Sequence, residues 1–328
     1  MEIDFEGLEE IILEASKLKA SDIHILGNGE VFLRAYKQII SSKIILEPAY
    51  IKELAQHFLL PHQFDEIIEG KEVDIGILIK NIRLRANFYL TCTCIAISMR
   101  VLPNNIPTLE ELMLPEITKD IFSKKSGLIL VSGPTGSGKS TTIASALEYI
   151  NQNFRKHIIC IEDPIEYLHE NIQSFFSYRE VGKDSESFAG AIKSALRQDP
   201  DIIFIGELRD KDSIKSALLA SQMGHLVVGT THSKDTSGAI SRIINSFENN
   251  RLEIAAELAL TLQAVIAQEL INFSDNGVRG IYEVLVATPA IKTLIRDQKY
   301  HQIPSQIMMG SEFGMISFEQ SRQALYRQ

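Results

Sequence analysis

The chain has 328 residues, 45% hydrophobic and 23% charged, which is room for two ordinary domains and the balance of a globular rather than a disordered protein. A formal net charge of −9 argues against a general nucleic-acid binder, whose surface is usually strongly basic. Three cysteines at irregular spacing make neither a disulfide framework nor a four-cysteine zinc site. No apolar run reaches the length of a membrane-crossing helix, and the acidic amphipathic start is unlike a signal peptide, so a cytosolic protein is expected.

In chain order, residues 5–18 place Phe5, Leu8, Ile12 and Ala15 on one helical face. "SDIHILG" and "EVFLRAY" read as strands around a Gly27-Asn28-Gly29 turn, and "PAYIKELAQHFLL" as an amphipathic helix with Pro48 near its start. "VDIGILI", "IRLRANFYL" and "CIAISMRVL" are further strands. "LTCTCIAISMR" as a whole is read as strand carrying two free thiols, Cys92 and Cys94. This mixed α+β section spans residues 1–102. Residues 103–115, with three prolines and two asparagines, are the expected linker, and residues 116–328 the second domain.

From residue 127 the pattern changes. "GLILVSG", "HIICIED", "DIIFIG" and "HLVVGTTH" are short strands, apolar throughout. The helical stretches "STTIASALEYI", "SFAGAIKSALRQ" and "DSIKSALLASQ" alternate with them. That alternation predicts a parallel sheet covered on both faces, with ligands at the carboxyl ends of its strands. "RLEIAAELALTLQAVIAQEL" is predicted to be one long helix, followed by the strand "IYEVLVA" and helices at "PAIKTLIRD" and "SFEQSRQALYRQ".

Every motif falls at such a strand end. The loop Gly133-Pro134-Thr135-Gly136-Ser137-Gly138-Lys139-Ser140 fits G-x-x-x-x-G-K-[ST], between a predicted strand and a predicted helix. Glycines let backbone N–H groups turn inward onto phosphate oxygens, and the helix N-terminus adds positive potential. Lys139 supplies a charge for the β- and γ-phosphates and Ser140 a hydroxyl for Mg²⁺, so ATP and Mg²⁺ are the implied ligands. "DIIFIGELRD" presents Glu207 at its far end, as a general base for water. "IEDPIEY" crowds Glu162, Asp163 and Glu166, an arrangement that a cation would relieve. Glu162, nearest the strand end, is the candidate to reach Mg²⁺, directly or through water. "GHLVVGTTHS" places His225 before a strand and His232 after it. His232 is favoured as a phosphate sensor by position, while His225 is equally readable as structural. Arg85 and Arg100 lie in the first section, and spacing alone leaves them as arginines on a solvated strand face.

Together and in this order, "GPTGSGKST", "IEDPIEY", "LRQDPDIIFIGELRD" and "GHLVVGTTHS" resemble the Walker A, Asp box, Walker B and His box of the secretion ATPase superfamily. The resemblance is closest to the PilT-type ATPases, which retract type IV pili, and it covers nearly the whole chain. "ASDIHI", "RANF" and "MRVLP" look like the family's N-domain signature and its arginine-bearing strands. "VIAQEL" and "GVRGIYEVLVATPAIKTLIRD" look like its C-terminal region. The resemblance implies a RecA-like P-loop domain preceded by a smaller PAS-like domain, assembled as a homohexamer on an inner-membrane pilus or secretion platform protein. It implies nucleotide contacts extending to Thr141, Glu207 as catalytic glutamate, Glu162 and His232 lining the nucleotide, and Arg85 and Arg100 reaching a neighbour's nucleotide. The family's retraction-linked "AIR" element appears as Ala290-Ile291-Lys292, with lysine for arginine. Thr231 replaces the usual leucine before the histidine, and "YLTCTC" lacks the basic segment that would carry a third arginine. The absence of a zinc subdomain and of a long N-terminal extension favours retraction over assembly. An ATPase of a type IVB-like secretion or conjugation system, a regulatory ATP-binding partner and a nucleic-acid translocase remain as alternatives.

Overall fold

The computed structural model describes residues 5–36, 38–80, 82–102, 105–272 and 277–326. The chain divides into two compact units, Met1–Asn105 and Ile106–Gln328. The division falls inside the segment expected to be a linker, of which Pro103 and Asn104 lie outside the described residues. The rest of that segment is not all spacer: Leu109 is buried in the core of the second unit with Phe122 and Leu147.

In the first unit, α1 (Glu6–Lys17) precedes β1 (Asp22–Ile25), β2 (Glu30–Ala35) and β3 (Gln38–Ile45). Helices α2 (Pro48–Phe58) and α3 (Pro61–Ile68) follow, then β4 (Val73–Ile79), β5 (Ile82–Thr91) and β6 (Cys94–Val101). The six strands form an antiparallel sheet in the order β3-β2-β1-β6-β5-β4. Alternation of period two gives it one apolar face: Val73, Ile75, Ile77 and Ile79 of β4 are buried, packed in one cluster with Leu8 and Ile12 of α1 and Leu54 of α2. The opposite face carries Asp22, Arg34, Arg85 and Arg100.

Two elements here have no signal in the sequence pattern. Strand β3 buries only one of its eight residues, so it shows no alternation, and α3 is a short helix begun by Pro61 directly after α2. The Cys-x-Cys segment is a hairpin turn rather than continuous strand. Cys92 and Thr93 take φ of 47° and 65°, Thr91 pairs with Cys94, and both thiols are exposed and unbonded to each other.

The second unit runs α4 (Ile117–Phe122), β7 (Gly127–Ser132), α5 (Lys139–Asn153), β8 (His157–Glu162), β9 (Phe175–Glu180), α6 (Phe188–Ala195), β10 (Ile202–Ile205), α7 (Lys211–Gln222) and β11 (Leu226–Thr231). It continues with α8 (Thr236–Asn245), α9 (Arg251–Thr261), β12 (Leu262–Asn272), β13 (Val278–Val286), α10 (Pro289–Arg296), α11 (Ile303–Met309) and α12 (Phe318–Leu325). Its seven-stranded sheet has the order β13-β12-β7-β11-β10-β8-β9, parallel except for β13. Apolar clusters cover both faces, one built on α6 to α10, the other on α4 and α5. This is the expected RecA-like sheet. Arg327 and Gln328, expected in the last helix, lie outside the described residues.

The long helix expected over residues 251–270 is overturned. The helix stops at Thr261, Leu262 turns extended (φ −59°, ψ 130°), and Leu262–Asn272 is a strand inserted between β7 and β13. Ala264, Val265, Ile266 and Ala267 are all fully buried. An apolar run buried on every side carries neither a 3.6 nor a 2.0 period, so pairing partners far away in sequence decide its conformation. Among the described residues no helix is long and apolar enough to cross a membrane.

Candidate active site

The fully buried strand β7 delivers Gly133 at its carboxyl end, and α5 starts at Lys139. Gly136 and Gly138 have φ of 78° and 86°, the left-handed region that costs glycine little. Gly133 is needed for space: a Cβ there would lie 2.5 Å from both the Gln268 carbonyl oxygen and Ser137 Oγ. Pro134, Thr135 and Gly136 are exposed at the loop's tip, whereas Lys139 is 9% exposed. Its ammonium donates to the carbonyls of Gly133 (2.9 Å) and Pro134 (3.1 Å). Burial lowers the Lys139 pKa, against the attraction of Glu207 and Glu166.

Glu207 follows β10 and is pinned from both sides. Gly206 N–H donates to Ile161 O (2.8 Å), Leu208 N–H donates to Thr230 O (2.9 Å), and the Thr230 hydroxyl donates to Gly206 O. Gly229 lets Leu208 close down, since a Cβ there would meet Leu208 Cδ1 at 2.6 Å. His232, just past β11, brings Nε2 to 3.4 Å from Glu207 Oε1, and its carbonyl accepts from Arg242 (2.9 Å). Burial, then the Lys139 cation, push the imidazole below its ordinary 6.5, and these outweigh the opposing pull of Glu207. At neutral pH the contact is therefore that of a neutral imidazole with a carboxylate, not an ion pair.

Glu162 ends β8 at 5% exposure, and its Oε2 accepts the Glu166 N–H at 3.3 Å. It shares with Ser140 a small cavity of about 10 Å³, roomy enough for roughly one water, also lined by Tyr167 and His169. A hydroxyl and a nearly buried carboxylate facing one space at the start of α5 suit Mg²⁺. That ion takes few protein ligands and keeps water and phosphate for the rest of its shell. Thr141 and Tyr167 share a hydrogen bond at 2.9 Å. Behind the cavity, buried His169 meets Glu148 at 2.7 Å and stacks on Phe176, and this bond holds the Glu148 carboxyl below its usual range.

The structure thus gathers Lys139, Glu207 and His232 within electrostatic reach of one another, and sets Glu162 beside Ser140. It leaves His225 at the amino end of β11, away from the loop, where Nδ1 bonds Pro200 O at 2.7 Å: a structural role. Arg85 and Arg100 stand on the first unit's polar face, ion-paired with Asp74 (3.5 Å) and Asp22 (3.1 Å). Sequence reasoning missed Gln268. This residue of β12 is 1% exposed, and its Nε2 donates to Ser137 O at 2.6 Å, supporting the phosphate loop from the side. Its one signal was a lone amide in the apolar run "AVIAQEL".

The family model described as type II/IV secretion system protein matches residues 5–317. The chain belongs to this family. Among secretion-family relatives, a twitching motility protein of Neisseria gonorrhoeae is 41% identical over 81% of this chain and 72% of its own length. The type IV pilus retraction ATPase PilT of Pseudomonas aeruginosa is 35% identical over 95% of this chain and 92% of its own. A crystal structure of the pilus retraction motor PilT with bound ADP superposes with a TM-score of 0.84 at 38% identity, covering 96% of each chain. With its family's phosphate loop intact, this secretion-family chain is an ATPase.

Proposed function

We propose that the chain is the motor ATPase of type IV pilus retraction, working as a homohexamer on the cytoplasmic side of an inner-membrane platform protein. The observation that supports this most directly is the 3.4 Å approach of Glu207 to His232 at the strand ends beside Lys139. It joins a base, a neutral hydrogen-bonding ring and a phosphate-binding cation in one place. The likeness to pilus retraction proteins over nearly the whole chain supports the pilus role.

In this reading the backbone of residues 133–140 and Thr141 wrap the phosphates, and Lys139 leaves its loop carbonyls for the β- and γ-oxygens. Ser140, with Glu162 through water, would hold Mg²⁺, which when bound neutralises charge on those oxygens. Glu207 accepts the proton of the attacking water, and His232 orients Glu207 and registers the γ-phosphate. Arg85 and Arg100 act on a nucleotide held by a neighbouring copy.

The test pairs phosphate release by the purified chain with a gene deletion. Glu207→Gln is expected to lower turnover by about 10²–10⁴-fold while ADP still binds. The deletion is expected to leave cells with excess surface pili and no twitching. Bald cells would mean assembly, and wild-type piliation would end the pilus reading.

A further inference from the structure

The polar face of the N-terminal sheet carries an arginine that no sequence motif points to. Strand register places Arg34 of β2 opposite Asp22 of β1, Asp22 opposite Arg100 of β6, and Arg100 opposite Arg85 of β5, in one row ending on Gly76 of β4. Asp22 is shared. Its Oδ1 lies 3.1 Å from Arg100 Nε and its Oδ2 3.9 Å from Arg34 Nε, while Ser21 Oγ donates to Oδ2 at 2.8 Å. Asp22 is 16% exposed, its two partners 67% and 45%.

Both contacts use the guanidinium Nε. The forked Nη ends, which make paired bonds to phosphate oxygens, are not committed to Asp22. Like charges directly opposite on a sheet are unfavourable, and Arg85 stands directly opposite Arg100. Among the described ion pairs, Asp22 serves two of the row's guanidiniums, and Asp74, from the neighbouring row, serves Arg85.

We propose that Arg34 is a third arginine of the ATPase reaction, contacting the triphosphate of a nucleotide bound by a second copy of the chain, and that Asp22 is the positioning residue that aims Arg34 and Arg100 together. The proposal rests on the reading that Arg85 and Arg100 act in trans. Asp22 touches no phosphate. It holds Arg100 by a hydrogen bond at 3.1 Å and draws Arg34 toward it by charge across 3.9 Å, so less freedom is lost when the anion arrives.

Four variants of the full chain test it: Arg34→Ala, Asp22→Asn, Arg100→Ala and Arg85→Ala. Phosphate release at saturating ATP, affinity for a fluorescent ADP analogue and melting temperature are measured for each. Arg34→Ala is expected to lower kcat at least ~10-fold and Asp22→Asn ~3–10-fold, below the ~10³-fold or more of a full arginine finger, with ADP affinity and melting unchanged. The Asp22→Asn effect should shrink in an Arg34→Ala background, because one of the two side chains it aims is gone. If Arg100→Ala lowers kcat while Arg34→Ala and Asp22→Asn stay within twofold of wild type, the proposal is overturned and the trans reading stands. If Arg85→Ala and Arg100→Ala also stay within twofold, the trans reading falls and takes the proposal with it. Loss of ADP affinity or of melting temperature in step with kcat would mean a structural role and likewise overturns it.

Discussion

Thr231→Val is expected to stabilise the protein. Thr231 is 1% exposed at the end of β11, and its hydroxyl has no hydrogen-bond partner. Its cross-strand neighbour Ser132 is already engaged, donating to Ser233 O at 2.8 Å and accepting Ser233 N–H at 3.1 Å. A buried, unsatisfied hydroxyl costs about 1–3 kcal/mol of desolvation. Valine keeps the β-branch and nearly the same volume, so the penalty is relieved without opening a cavity. A gain of about 1–2 kcal/mol corresponds to a melting temperature higher by roughly 2–8 °C for a unit of this size. Calorimetry of wild type, Thr231→Val and Thr231→Ala measures it, with alanine expected below wild type because it also removes a packed methyl. A Thr231→Val protein melting at or below wild type would refute the reasoning and mean that the hydroxyl is satisfied, for instance by an ordered water.

Gln268→Met removes the donor to Ser137 O while keeping side-chain length. ADP affinity should fall about 3–10-fold, the worth of one hydrogen bond, with a smaller change in kcat, as read by equilibrium nucleotide binding. The acid limb of kcat/KM should lie below the free imidazole value of 6.5, because His232 is held neutral by burial and by Lys139. It should vanish in His232→Gln. Glu148, whose pKa is depressed by His169, contributes stability that is present above the unfolded carboxyl value and lost as pH falls through the folded one. Glu148→Gln should therefore melt lower than wild type at neutral pH, by about 1 kcal/mol, and the difference should close in acid.

What could be read from the residues alone follows from how local each signal is. The phosphate loop, the strand-end carboxylate Glu207 and His232 were visible because their chemistry is tied to strand–loop–helix spacing within a few residues. β4 and α1 were visible because one face of each is apolar at a regular period. β12 was misread because it is apolar on every side, and only its pairing with β7 and β13 makes it a strand. β3 was missed because an edge strand with one buried residue has no alternation to detect. Gln268 owes its interest to Ser137, 131 residues away, and Arg34 to an aspartate, Asp22, that it shares with the distant Arg100. Register across a sheet, not spacing along the chain, brings them there.

The two carbonyl contacts of Lys139 bear on how a spent nucleotide escapes. An ammonium left buried without an acceptor would hold on to any departing anion, since stripping it bare costs several kcal/mol. Here Gly133 and Pro134 stand ready to receive it within hydrogen-bonding distance. In the proposed reading, a departing ADP would be replaced on the ammonium by carbonyls already built into the loop, which lowers the cost of emptying the pocket.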